Sequence, residues 1–182
     1  MTCPGCGAAM HVAKGRDYLI CDYCGATHFP DPNPDGVRVL GEPTEFACPR
    51  CAVALVQASI AGAQVVYCNQ CHGLLIDMDD FMAVVEELRS RHEHSEYTGQ
   101  QPDWRDLDRH TDCPKCKKRM NTHPYCGPGN VIIDTCEDCS VNWLDYGELQ
   151  RIVRAPDGHY VIGMDEDERD KMQMADRDLD HS

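Results

Sequence analysis

Short runs of β-forming residues recur along the chain, each bounded by turn formers and each leading into a Cys-x-x-Cys pair. Tyr18-Leu19-Ile20 leads into Cys21 and Cys24, Val65-Val66-Tyr67 into Cys68 and Cys71, and Val131-Ile132-Ile133 into Cys136 and Cys139. A polar or glycine-containing turn precedes each run: Lys14–Asp17, Ser59–Gln64 and Gly127–Asn130. Upstream of each turn stands an apolar residue (Met10, Leu55, Met120), seven positions after the first cysteine of a leading pair. Those leading pairs read Cys3-Pro-Gly-Cys6, Cys48-Pro-Arg-Cys51 and Cys113-Pro-Lys-Cys116. The pattern predicts three repeated β-hairpins, each with a cysteine pair at both ends.

The second and third repeats also share an ending. From Cys71 and Cys139 they align without a gap, Leu75-Ile76-Asp77 on Trp143-Leu144-Asp145 and Asp80-Phe81 on Glu148-Leu149. Phe81, Val84, Val85 and Leu88, and likewise Leu149, Ile152 and Val153, fall at helical spacing. Asp77 and Asp145 stand where N-caps are expected, with Asp80 and Glu148 three residues later in a capping-box pattern. The predicted fold class is small, mostly β and metal-stabilised, with a C-terminal helix appended to two of its three hairpins.

The implied organisation is module one over 1–30, a linker over 31–45, module two with its helix over 46–92, a polar linker over 93–110, module three with its helix over 111–154, and an acidic tail over 155–182. The first linker is rich in Pro, Gly and Asp, although Val37–Leu40 suits a short strand. Trp104 and Leu107 are the docking points expected in the second.

Composition explains why a metal is needed. The 182 residues include only two Trp, seven Tyr and three Phe, too few aromatics for one large core. Small modules that bury little apolar surface need staples. Twelve of the thirteen cysteines fall in the six pairs, and only Cys126 is left over. No basic start and apolar stretch marks a signal peptide, and no apolar run approaches the roughly 18 residues of a transmembrane helix. The chain therefore reads as cytoplasmic, with reduced thiols serving as metal ligands.

Two pairs brought together by a hairpin supply four thiolates to one tetrahedral centre. The intervening stretches, Cys6 to Cys21, Cys51 to Cys68 and Cys116 to Cys136, have the length of two short strands and a turn. The ligand sets are Cys3, Cys6, Cys21 and Cys24; Cys48, Cys51, Cys68 and Cys71; and Cys113, Cys116, Cys136 and Cys139. Three zinc ions are expected, with iron the minor alternative, because a closed four-thiolate site suits both metals. His72, directly after Cys71, is a lesser candidate ligand. A closed centre has no open position for water or substrate, so its role is structural and no enzyme activity is expected.

Modules two and three resemble the transcription-factor-IIB-type zinc ribbon family. The resemblance rests on C-P-x-C, a hairpin, C-x-x-C and then W-L-D-x-G-E-L, which module three carries as Trp143-Leu144-Asp145-Tyr146-Gly147-Glu148-Leu149. Module two departs, with Leu75 for the Trp, Asp79 for the Gly and Phe81 for the Leu. Module one has the cysteine knuckles alone and is similar to rubredoxin-like ribbons in general. The resemblance implies metal-binding ribbons and carries no activity with it.

The formal charge of −14 argues against general nucleic-acid or anionic-membrane binding. Lys115, Lys117, Lys118 and Arg119 form the one dense basic cluster, read first as neutralising a thiolate-rich centre and second as a phosphate contact. Cys126 beside His123 reads as a small turn residue before it reads as a reactive thiol. Trp143 reads as a lid over the ribbon core. His92, His94 and His110 read as solvated, as does the tail with Met164, Met172 and Met174. The leading expectation is a non-enzymatic adaptor that presents hairpin edges and amphipathic helices to a protein partner. A nucleic-acid-linked regulator and a thiol redox or zinc-release sensor are the alternatives.

Overall fold

The computed structural model describes residues 1–91, 103–125 and 129–155. The predicted positions Cys126, His92, His94, Met164, Met172 and Met174 lie outside the described residues. Module one folds as a small sheet of β1 (His11–Val12), β2 (Leu19–Ile20) and β3 (Thr27–His28), in that order.

Modules two and three do not stand apart. Their strands are β4 (Arg38–Ala47), β5 (Ala54–Ile60), β6 (Ala63–Tyr67), β7 (Leu74–Asp77), β8 (Asn121–Pro124), β9 (Ile132–Cys136) and β10 (Val141–Leu144). They form one seven-stranded sheet in the order β4-β5-β6-β7-β10-β9-β8. The join is the antiparallel β7–β10 pair, in which Leu75 opposes Trp143, Ile76 opposes Asn142 and Leu74 opposes Leu144. Leu75 and Trp143 are equivalent in the two repeats, so a local pseudo-two-fold axis passes between them and relates one ribbon to the other.

Both faces of this sheet are covered, so Leu74, Leu75 and Ile76 run apolar without alternation, as in a strand buried on two sides. Leu74 and Ile76 pack with Val65, Tyr67 and Leu144 beneath the helices α1 (Met78–Arg91) and α2 (Glu148–Arg154). On the other face, Leu75 packs with Leu55, Met120, Val141 and Trp143 against the cysteine clusters. The helices turn Phe81, Val84 and Val85, and Leu149, Ile152 and Val153, into the sheet. Their apolar faces are therefore core, not surface offered to a partner as the sequence suggests.

The segment expected as a linker contributes a long strand. β4 pairs antiparallel with β5 through two register shifts, around Pro43, and Leu40 closes the core of module one. The turn expected over Ser59–Gln64 narrows to Ala61 and Gly62, both at positive φ, because a two-residue hairpin loop that follows the strand twist needs that geometry. Trp104 and Leu107 lie on a 3-10 helix (Trp104–Asp108) with their side chains exposed rather than docked. The sheet ends at β4 and at β8, and in β8 Pro124 stands where a further strand would need an outward N–H, because the N–H of the next residue, Tyr125, already bonds back to Val131 O.

Candidate metal centres

Each Cys-x-x-Cys turn is built the same way, and the backbone builds it. The residue after the second cysteine has positive φ in all six: Gly7, Gly25, Ala52, His72, Lys117 and Ser140. In five of them that residue's N–H donates to the carbonyl of the first cysteine, as from Gly7 to Cys3 (2.9 Å) and from His72 to Cys68 (2.9 Å). The first cysteine's own N–H donates five residues onward, as from Cys48 to Val53 (2.8 Å). Sulfur is drawn into the turn as well: Arg50 and Cys51 N–H both donate to Cys48 Sγ at 3.4 Å. Such a turn holds two sulfurs toward one point and places N–H dipoles on them, which favours thiolate.

The hairpins then bring the pairs together in the three predicted sets. In each, the four sulfurs lie within 4.8 Å of one another. Cys3 and Cys24 sulfurs are 3.6 Å apart, Cys6 and Cys21 3.5 Å, Cys48 and Cys71 3.5 Å, and Cys116 and Cys136 3.7 Å. A tetrahedron of sulfurs about 2.3 Å from a central zinc has edges of about 3.8 Å, so the donors fit a tetrahedral thiophilic ion. Four sulfurs this close resist joint ionisation without a cation: contact with Cys116, then burial, pushes the Cys139 thiol up to about 12. Cys3 goes the other way, down to about 7, because the backbone N–H groups at Gly5 and Cys6 stabilise its thiolate. A bound divalent ion would reverse the crowding by supplying the missing charge.

The first cysteine of every pair is buried. The second is exposed in module one (Cys6, Cys24) and half-buried in the other two (Cys51, Cys71, Cys116, Cys139). His72 is no competitor for Cys71: its Nδ1 lies 2.5 Å from the Tyr67 hydroxyl, and that hydroxyl also accepts from Asn33 Nδ2 at 3.1 Å.

The centres of modules two and three share one apolar cluster, crossed by two reciprocal ion pairs. Arg50, inside the first knuckle of module two, donates through Nε and Nη2 to Asp145 at 3.0 and 2.9 Å, and through Nη2 to Asp134 at 3.1 Å. Lys115, its equivalent in module three, reaches Asp77, the equivalent of Asp145, at 2.9 Å. These contacts answer two expectations. Asp77 and Asp145 direct their carboxylates across the module boundary rather than capping helices, and Gly147 occupies the N-cap of α2. Half of the capping box survives, since Asp145 N–H donates to Glu148 Oε2 at 2.7 Å. Half of the basic cluster is likewise engaged, Lys115 by Asp77 and Lys118 by Asp138 at 2.7 Å.

Around Asp145, burial is outweighed by the bonds from Arg50 and Trp143, which hold its carboxyl below the ordinary range. Trp143 is fully buried and donates its indole N–H to Asp145 at 2.9 Å, so it is a core residue as expected and not a binding platform. Glu148 behaves oppositely: burial, reinforced by Asp145, Asp134 and Asp106, raises it to about 8 despite the N–H it accepts from Asp145.

At Gly73 the repeats differ for a steric reason. A Cβ there would lie 2.4 Å from Trp143 Cζ2. Its equivalent in module three is Val141, which packs with Leu75. The large-small pair Trp143 and Gly73 thus answers the medium pair Leu75 and Val141 across the axis.

Residues 47–87 and 112–155 each match the transcription factor zinc-finger family. Modules two and three are therefore zinc ribbons of that type, and module one adds a third four-cysteine cluster outside the matched segments. No curated protein and no solved structure matches the chain.

Proposed function

We propose that this protein is a non-enzymatic, cytoplasmic, zinc-binding adaptor or accessory subunit that offers a rigid surface to a protein partner. The observation that carries the reading is the fusion of two four-cysteine centres into one sheet, cross-tied by Arg50–Asp145 and Lys115–Asp77. Closed four-sulfur centres suit holding a shape, because they leave no coordination position for a substrate. Zinc is the metal this reading assigns, on the closed tetrahedral donor set and the family of modules two and three.

With hairpin edges and apolar helix faces largely used inside the fold, the partner-facing surface is assigned to the outer side of α1. Met78 and Met82 are exposed there, and flexible thioether side chains suit an adaptable contact. No helix among the described residues is long and apolar enough to cross a membrane.

The test is native mass spectrometry of the protein isolated from its own cells. Three zinc ions with one protein partner in fixed ratio support the adaptor, and Met78→Asp with Met82→Asp should release that partner while keeping all three ions. A zinc-loaded chain that never co-isolates with another protein contradicts it.

Exposed Cys6 and Cys24 favour a second reading, a thiol sensor that releases zinc from module one. Loss of a single zinc at mild peroxide, restored by reductant, would favour it over the adaptor. The nucleic-acid reading has less support, because Lys115 and Lys118 already face carboxylates.

A further inference from the structure

The strands that join modules two and three have a third equivalent, and its outer edge has no strand beside it among the described residues. Counted from the last cysteine of each module, Leu74, Leu75 and Ile76 correspond to Asn142, Trp143 and Leu144, and in module one to Thr27, His28 and Phe29. β7 and β10 pair with each other, whereas β3 borders only β2 among the described residues.

The knuckle sets the hydrogen-bonding phase of the strand that follows it. Cys21 N–H donates to Ala26 O and Cys68 N–H to Gly73 O, both at 2.9 Å. Bonded and non-bonded pairs alternate along an antiparallel ladder. With His28 opposite Leu19, Thr27 and Phe29 therefore turn their backbone N–H and C=O away from β2. By the same count, Leu74 and Ile76 turn theirs toward β10, where they face Leu144 and Asn142. β3 thus presents an edge in the same phase as the two strands that pair. Pro30 stands at the position of Asp77, whose opposition to Val141 falls in the non-bonded phase, so the missing N–H removes no rung from such a ladder.

We propose that two copies of this chain associate through β3 of module one, antiparallel about His28. The four strands β2-β3 and β3-β2 of the two copies would then repeat the arrangement β6-β7-β10-β9. Charge distribution fits a second copy rather than an oppositely charged partner: module one holds two cations (Lys14, Arg16) and two anions (Asp17, Asp22), while the whole chain is formally −14. Two copies can therefore meet through module one without the like-charge repulsion that the acidic chain as a whole would impose. Phe29, exposed and tilted against Tyr18 at 4.9 Å between ring centres, gives the contact apolar area to cover. The reciprocal clamps have no counterpart here, because Gly5 stands for Arg50 and Lys115, and Pro30 for Asp77 and Asp145. The association is therefore reversible, with no ion pair for salt to break.

Sedimentation of the full, metal-loaded chain from low micromolar to several hundred micromolar tests this. The expected result is a mass rising from one chain to two, not reversed by added salt. Thr27→Pro removes one outward N–H, and Phe29→Glu sets carboxylates near the axis. Both variants should keep three metal ions and remain at the mass of one chain. Should Thr27→Pro lose metal, Phe29→Glu decides alone. A wild-type chain that stays single over the whole range, or a dimer that survives in metal-replete Phe29→Glu, overturns the proposal.

Discussion

Leu75 and Trp143, equivalent residues of two repeats, lie directly opposite each other across the β7–β10 ladder. That opposition makes modules two and three an intramolecular pseudo-dimer with both metal centres on one apolar layer. Its specificity comes from unequal side chains, Trp143 filling the space that Gly73 leaves open.

Gly73→Ala should therefore destabilise the protein by about 1–3 kcal/mol, since the added methyl meets a buried indole that has no room to shift. Trp143→Leu alone should cost about 3 kcal/mol through the cavity it leaves. The double variant should cost less than the sum of the two. Denaturant unfolding at saturating metal reads this coupling, and strict additivity would show that the two positions do not share one space.

The two reciprocal ion pairs should differ sharply in worth. Arg50 faces an almost fully buried Asp134 (6 % exposed) together with Asp145, so Arg50→Ala leaves Asp134 only the Thr111 and Thr122 hydroxyls and Asp145 only Arg109 and the Trp143 N–H, and should cost about 3 kcal/mol. Lys115 and Asp77 are 30 % and 55 % exposed, and Lys115→Ala should cost about 1 kcal/mol or less. Equal losses in an unfolding titration would contradict this ordering.

Glu148 should make stability fall at alkaline pH. Its carboxyl is raised to about 8 in the fold against an ordinary 4.5, so the folded state holds a proton that the unfolded chain has released. Glu148's contribution to stability is therefore fully present below about pH 4.5, declines as pH rises and is lost above about pH 8. Glu148→Gln keeps an acceptor for Asp145 N–H without the charge. Relative to wild type it should gain on the order of a few kcal/mol between pH 5 and 9. A difference independent of pH would show that Glu148 is ionised throughout.

The centres should release metal in order. Module one exposes Cys6 and Cys24, whereas the other two centres half-bury their second cysteines and share a core. A chelator titration followed by mass spectrometry should show one ion lost early and two lost late and together. Three equal, independent losses would show that the shared layer does not couple the two ribbons.

Much of this was legible in the residues, because the chemistry is local. Six Cys-x-x-Cys pairs set the ligands, and the runs before Cys21, Cys68 and Cys136 lie on the hairpins expected. What escaped was tertiary. β4 hides in a segment full of Pro and Gly because its pairing bends at two register shifts around Pro43. Asp77 and Asp145 look like helix caps because the capping pattern is local, while their cation partners lie far away in the chain. Signals for the β7–β10 junction were nevertheless present: Leu74-Leu75-Ile76 is apolar without alternation, and Gly73 and Leu75 stand where the other repeat has Val141 and Trp143.

The most direct test of the account is the metal content and ligand shell of the freshly purified chain, by elemental analysis and X-ray absorption. Three zinc ions per chain are expected, each with four sulfur neighbours at about 2.3 Å. Fewer than three ions, or a nitrogen or oxygen neighbour in the first shell, would contradict it.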